Sequence, residues 1–169
     1  GMVTVPTVSA NNETKNGIVS GTETWSGTHT MTGNVTVAEG ATLIINAGTT
    51  INVPAGSYLN VRGALCAGDA ACGATQGSQS SPVRFLWGTP SDWTKTNWCH
   101  IPNAQVPRNN PDAACGGGVV IRDTIDEALT SLNFVHFEKA YGFPIYSANA
   151  QTYRYGALVF DGSSINANG

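Results

Sequence analysis

The stretch that decides the fold runs Gly40-Ala41-Thr42-Leu43-Ile44-Ile45-Asn46-Ala47, Gly48-Thr49-Thr50-Ile51-Asn52-Val53-Pro54-Ala55, Gly56-Ser57-Tyr58-Leu59-Asn60-Val61-Arg62. Each unit opens on glycine and carries apolar residues at its fourth and sixth positions; one unit earlier, Val35 and Val37 fill the same slots. Alternation within a unit marks a strand with one buried face. A glycine at each boundary suits a corner whose backbone needs positive φ.

The wider spacing separates a coil from a meander of hairpins. Val35/Val37, Leu59/Val61 and Val83/Phe85 are successive pairs separated by three such units, and Val119/Ile121 and Phe143/Ile145 repeat that offset. Three units per turn describe a three-sided solenoid, each pair stacking on its equivalent one turn away. Hairpins would call for Asn-Gly or Asp-Gly loops, and none occurs from Gly40 to Gly63. The spacing therefore predicts an all-β, three-sided parallel β-helix. Val35, Val37, Leu43, Ile45, Ile51, Val53, Leu59, Val61, Val83, Phe85, Val119, Ile121, Phe143 and Ile145 point inward, with Val37, Val61 and Phe85 in one column. A β-sandwich also has short alternating strands but leaves the three-unit offset unexplained.

Composition agrees. Of 169 residues only 11% are charged, 8 basic against 11 acidic. Helix formers are scarce while β-branched and turn residues abound, which rules out a helical bundle. An acidic chain without a Lys/Arg cluster is a poor nucleic-acid binder. No apolar run reaches the roughly 18 residues of a membrane span. Gly1-Met2 reads as the scar of tag removal. Residues 1–32, Thr-rich with Trp25 and Met31, are expected to cap the first coil, and 33–169 to form coils. Ser163-Ser164-Ile165 leaves the last coil in mid-pattern, so further coils or a partner chain are expected at that end.

Residues 88–116 break the period. Pro90, Pro102, Pro107 and Pro111 rule out a strand pattern there, and Cys99 and Cys115 bracket most of the stretch. Cys66 and Cys72 flank a second turn-rich segment. Loops without a core of their own gain most from a covalent link, so Cys66 is paired with Cys72 and Cys99 with Cys115, implying an oxidising, exported setting. The rival, a metal site on Cys99, His100 and Cys115, lacks a Cys-x-x-Cys pair and a fourth ligand. No metal and no cofactor is implied.

At this point the residues resemble a family. Trp25, then Gly33-Asn34-Val35-Thr36-Val37, Gly40–Ile45 and Gly48–Ile51, are similar to the N-terminal end of secreted bacterial right-handed parallel β-helix proteins of the pectate-lyase-like superfold. Leu59–Leu65, Pro82–Phe85, Gly117–Ile121 and Leu132–Ala140 resemble further coils. The resemblance implies right-handed coils and an extracellular or cell-surface location with the leader removed. It leaves activity open, since this architecture carries enzymes, adhesins and phage spikes alike.

Signatures of chemistry are sparse against that background. The Asn-Thr-Asp, Asp-Asp and Gly-His-Gly strings of β-helical polygalacturonases are missing. A lyase would need clustered Asp ligands and an Arg base, and the nearest candidates are Arg122, Asp123 and Asp126; the plainer account of them is a solvated turn. His29, in a Thr-rich run, is expected at the surface and His136 to point out of its strand. Outward Thr residues form no ladder from turn to turn, which argues against an ice-binding face. Aromatic residues are the better lead. Trp87, Trp93 and Trp98 cluster around the excursion, either as a small core tying the loop to the helix or as rings open to stack on a sugar; in the second reading Trp93, Trp98, Arg108 and Asp112 make the ligand-binding face. The function expected is a non-catalytic module, either structural and adhesin-like or glycan-binding, with a polysaccharide or cell-surface glycan as the partner in the second case. A polysaccharide lyase or glycoside hydrolase is the alternative.

Overall fold

A computed structural model describes residues 7–8, 17–88, 117–140, 143–147, 152–161 and 166–168, with side chains described within 17–88, 117–140 and 156–160. The chain winds around three parallel sheets, here sides one, two and three in winding order. Side one stacks β1 (Thr7–Val8), β3 (Thr22–Trp25), β6 (Thr42–Ile45), β9 (Ala64–Ala67), β12 (Ser131–Asn133) and β17 (Asn166–Asn168). Side two stacks β4 (Thr28–Thr30), β7 (Thr50–Val53), β10 (Val83–Trp87) and β13 (Val135–Glu138). Side three stacks β2 (Ile18–Val19), β5 (Val35–Val37), β8 (Leu59–Val61), β11 (Val119–Arg122) and β16 (Leu158–Asp161). From β3 to β13 the chain visits the sides in strict rotation. It is a three-sided parallel β-helix, as the spacing predicts.

The corners follow from the glycines. Gly40, Gly48 and Gly56 have φ of +82°, +75° and +81°, a region that costs other residues about 1 kcal/mol or more. Between corners, the alternating residues are sorted by the pleat. Val35, Val37, Leu43, Ile45, Ile51, Val53, Leu59, Val61, Val83, Phe85, Val119 and Ile121 are all buried in one cluster. Coils approach closely enough that a Cβ at Gly63 would collide with the carbonyls of Ala38 and Ala41.

The register corrects part of the sequence reading. Val37 pairs with Val61, as expected, but Val61 pairs with Ile121. Phe85 lies on side two, between Ile51 and Phe137. The expected column of Val37, Val61 and Phe85 was wrong. The three-unit offset holds for the turn from β5 to β8, whereas the turns that bring Thr22 onto Thr42 and Thr42 onto Ala64 are shorter. Residues 68–82 then form an excursion between β9 and β10, and its length brings Phe85 to a false match with Val61. Likewise, β14 (Phe143–Ser147) does not stack on β11. It pairs antiparallel with β15 (Thr152–Gly156), and Leu158 takes the place beside Val119. Thr22 stacks on Thr42 and Thr28 on Thr50, but the rows continue into Ala64 and Arg84.

The excursion at 68–82 is fastened to the outside of side one. Cys66 and Cys72 form the expected disulfide. Ile44, Cys66 and Ala74 are buried together beneath it, a small second core on the outer face. Thr75 ties the far end down: its Oγ1 accepts from the Ala47 amide at 2.8 Å, and its amide donates to Asn46 Oδ1 at 3.0 Å. The other expected link, Cys99–Cys115, lies outside the described residues, as does the rest of the 88–116 excursion between Gly88 and Gly117.

His29 is not at the surface. It occupies an inward position on β4, opposite Ile51, is 1% exposed, and stacks on Trp25 with ring centroids 3.7 Å apart. Burial lowers its pKa to about 4. The unfolded chain, titrating near 6.5, therefore binds one more proton than the folded chain between these values. Stability should fall as pH drops from about 6.5 toward 4, by up to about 3 kcal/mol. Urea melts of the wild type and His29→Phe across this window should diverge with that slope. Equal slopes would show that His29 does not titrate on unfolding. Separately, Phe85→Ala should cost about 3–5 kcal/mol by opening a cavity between Ile51 and Phe137.

Candidate functional site

Side two ends at a corner where successive coils leave an open groove of about 420 Å³. Its positions repeat from coil to coil because the strands are in register: Thr30 opposes Asn52, and Asn52 opposes Leu86. These three are outward positions at the strand ends. Met31, Val53 and Trp87 come from the adjacent inward positions, Pro54 and Gly88 continue the strands into the corner, and Lys139 follows β13. The groove is apolar along its floor and polar at its rim. Thr30 supplies a hydroxyl, Asn52 an amide and Lys139 an ammonium.

Lys139 sits at this rim through an uncommon backbone. Its φ is +60°, a left-handed conformation that turns the chain sharply out of β13 and strains any residue but glycine. Glu138 beside it is engaged with Arg84, whose guanidinium donates at 2.6 Å across the coils. Lys139 is thus the charged side chain among the residues lining the groove.

Trp87 is a core residue rather than a platform for stacking. It is 1% exposed, its Nε1 donates to the Ser57 carbonyl at 2.9 Å, and its ring lies 6.0 Å from Phe85 and 6.4 Å from Phe137. Trp93, Trp98, Arg108 and Asp112 lie outside the described residues.

The residues considered for catalysis have structural partners. Arg122 Nε donates to Asn60 Oδ1 at 2.8 Å, and Asn60 Nδ2 donates to Thr36 Oγ1 at 3.4 Å, so a polar chain crosses three coils on the outer face of side three. Asp126 caps the 3-10 turn Glu127–Leu129, accepting from the Leu129 amide at 3.2 Å. Its own amide donates to the Gly63 carbonyl at 3.0 Å, which pins the turn to the coil beneath. Asp123 lies in the turn between them. Among the described residues no group of three or more His, Cys, Asp or Glu gathers in metal-binding proximity. His136 is exposed, as expected.

Asp69, which the sequence reading did not single out, has a structural part. One carboxylate oxygen accepts from Ser131 Oγ at 2.6 Å and the other from the Ala71 amide at 2.9 Å. These two hydrogen bonds hold its pKa below the ordinary aspartate value, the Ser131 bond contributing most. The carboxylate links the disulfide excursion to a strand one coil farther on.

Of the groove residues, Trp87 stands among the aromatic candidates of the sequence, whereas Thr30, Asn52, Leu86 and Lys139 do not. Thr30, Asn52 and Leu86 meet only because β10 pairs with β7, and the excursion at 68–82 hides that register in the sequence.

No protein-family model, no curated protein and no solved structure matches this chain. No helix among the described residues is long and apolar enough to cross a membrane.

The Cys66–Cys72 link closes a short loop, with a sequence separation of 6, so its loss should cost about 2 kcal/mol. Reduction, or Cys66→Ala with Cys72→Ala, should lower the urea midpoint while leaving the β-sheet circular dichroism intact. Collapse of the β signal on reduction would show that the coils depend on the excursion.

Proposed function

We propose that the chain is a non-catalytic extracellular or cell-surface β-helix module that holds a glycan along the side-two groove. The observation that carries this reading is the groove itself: three coils deliver Thr30, Asn52 and Leu86 in one row beside the ammonium of Lys139. Rows set about 4.8 Å apart by the strand spacing suit an extended polymer lying along the solenoid axis. Hydroxyl and amide groups at a rim over an apolar floor match a ligand rich in hydroxyls on one edge and C–H groups on its face. Export is supported by the disulfide, since such links persist in oxidising compartments. The likeness to secreted β-helix proteins supports the same location. Partial charge neutralisation by Lys139 favours an acidic polysaccharide.

The test is a glycan array followed by calorimetric titration of the strongest hit. Asn52→Ala should weaken binding about tenfold or less, in keeping with one or two hydrogen bonds. Lys139→Gly should weaken binding of an acidic glycan while holding or raising the melting temperature, because glycine relieves the left-handed backbone. Release of unsaturated or reducing ends that disappears in Arg122→Ala or Asp123→Asn would replace this reading with the lyase or hydrolase alternative.

A further inference from the structure

The outward row that forms the side-two groove continues one coil farther. Thr30 opposes Asn52, Asn52 opposes Leu86, and Leu86 opposes Glu138, so an acidic residue holds the fourth place. Yet Glu138 does not line the groove, and Lys139 does. Two features make that exchange. The Glu138 carboxylate accepts from the Arg84 guanidinium at 2.6 Å, and Arg84 stands in the neighbouring outward row, between Thr50 and His136, outside the groove lining. Lys139, in turn, would point inward if β13 ran on as a strand, because side chains alternate. Its left-handed backbone, φ +60°, breaks the alternation and leaves the side chain exposed. Three neutral places therefore lead to one cationic end.

We propose that the groove selects a glycan with a single carboxylate, seated at Lys139, on an otherwise neutral chain; this rests on the glycan reading of the groove. The strand spacing of about 4.8 Å is close to the advance per residue of an extended pyranose chain, so each row faces one sugar. Thr30 and Asn52 exchange hydrogen bonds with sugar hydroxyls, and Leu86 meets a C–H face. None of the three carries a positive charge. A carboxylate set against them loses water without gaining a partner, which is costly, so a chain of uronic acids fits the rows poorly. Lys139 offers its ammonium at one end alone, which also fixes the direction of the ligand along the solenoid axis. Arg84 is a positioning residue here. Without it the Glu138 charge is unpaired beside Lys139 and cancels the attraction that the ligand's carboxylate feels.

Calorimetric titration of the whole chain with β-1,4-linked tetrasaccharides of glucose, mannose and galactose tests this. Each is used in four forms: neutral, with one uronate at the reducing end, with one at the other end, and as the tetra-uronate. One of the two mono-uronates should bind about fivefold more tightly than the neutral form, the gain of one exposed ion pair, and the tetra-uronate should bind more weakly than that mono-uronate. Lys139→Asn, which keeps a residue tolerant of left-handed backbone, should remove the difference between charged and neutral chains. The ratio of acidic to neutral affinity should fall in Arg84→Gln, rise in Glu138→Gln, and return toward the wild-type ratio when the two are combined. Damage to the fold lowers both affinities and leaves the ratio unchanged, so an unchanged ratio in Arg84→Gln would overturn the role given to the ion pair. Binding that weakens in Asn52→Ala but is tightest for the tetra-uronate would overturn the single-carboxylate inference and keep the glycan reading. Binding by none of the forms, or binding indifferent to Asn52→Ala, would remove both.

Discussion

The backbone ladder between coils is the interaction on which the rest of this molecule depends. Each strand pairs in parallel with the strand one turn away, and that pairing fixes side chains into columns as well as joining the coils. Ile51, Phe85 and Phe137 become neighbours because their backbones are in register, and the stacking of the two phenylalanines at 5.6 Å follows. Parallel sheets need both faces protected or polar. Here the inner faces share one narrow core, and on side one the disulfide excursion covers part of the outer face. Side three instead carries the polar chain of Thr36, Asn60 and Arg122.

A ladder of this kind tolerates insertions at corners but not within strands. Residues 68–82, and the hairpin of β14 and β15, leave and rejoin the winding without disturbing the rotation of sides. Loop closure costs grow slowly with length, so an excursion mainly needs its own anchoring. Cys66–Cys72, Thr75 on Asn46 and Ala47, and Asp69 on Ser131 provide it for the first. The groove arises from the same rule. Strand ends in register at one corner present equivalent positions in a row, and the chain must turn outward there.

The candidate site was less legible than the fold, for a definite reason. Arg122, Asp123 and Asp126 stood out because charged residues are rare here, yet capping and coil-to-coil hydrogen bonds also require charged or polar groups. Asp126 serves a turn and Arg122 serves the Asn60 chain. Thr30 and Asn52 are ordinary residues whose positions matter only after the register is known. His29 looked solvated among threonines, although the alternation of Thr28, His29 and Thr30 already placed it opposite to its neighbours. Trp25 stacking on it explains how the core accepts an imidazole.

By itself, the sequence determined the three-sided coil, because alternation at period two and glycine at each corner are local properties that survive without knowledge of distant contacts. It also determined the inward set through Ile121, and the Cys66–Cys72 link across a short turn-rich loop. Tertiary structure alone decided which column each strand joins. The three-unit offset matches Val37 to Val61 correctly and Val61 to Phe85 falsely, since an excursion can consume the length of two sides without leaving a mark on the spacing. It alone decided, too, that the side-two strand ends meet as a groove and that Phe160 joins the column of Val37, Val61 and Ile121, because both depend on which backbones hydrogen-bond across coils.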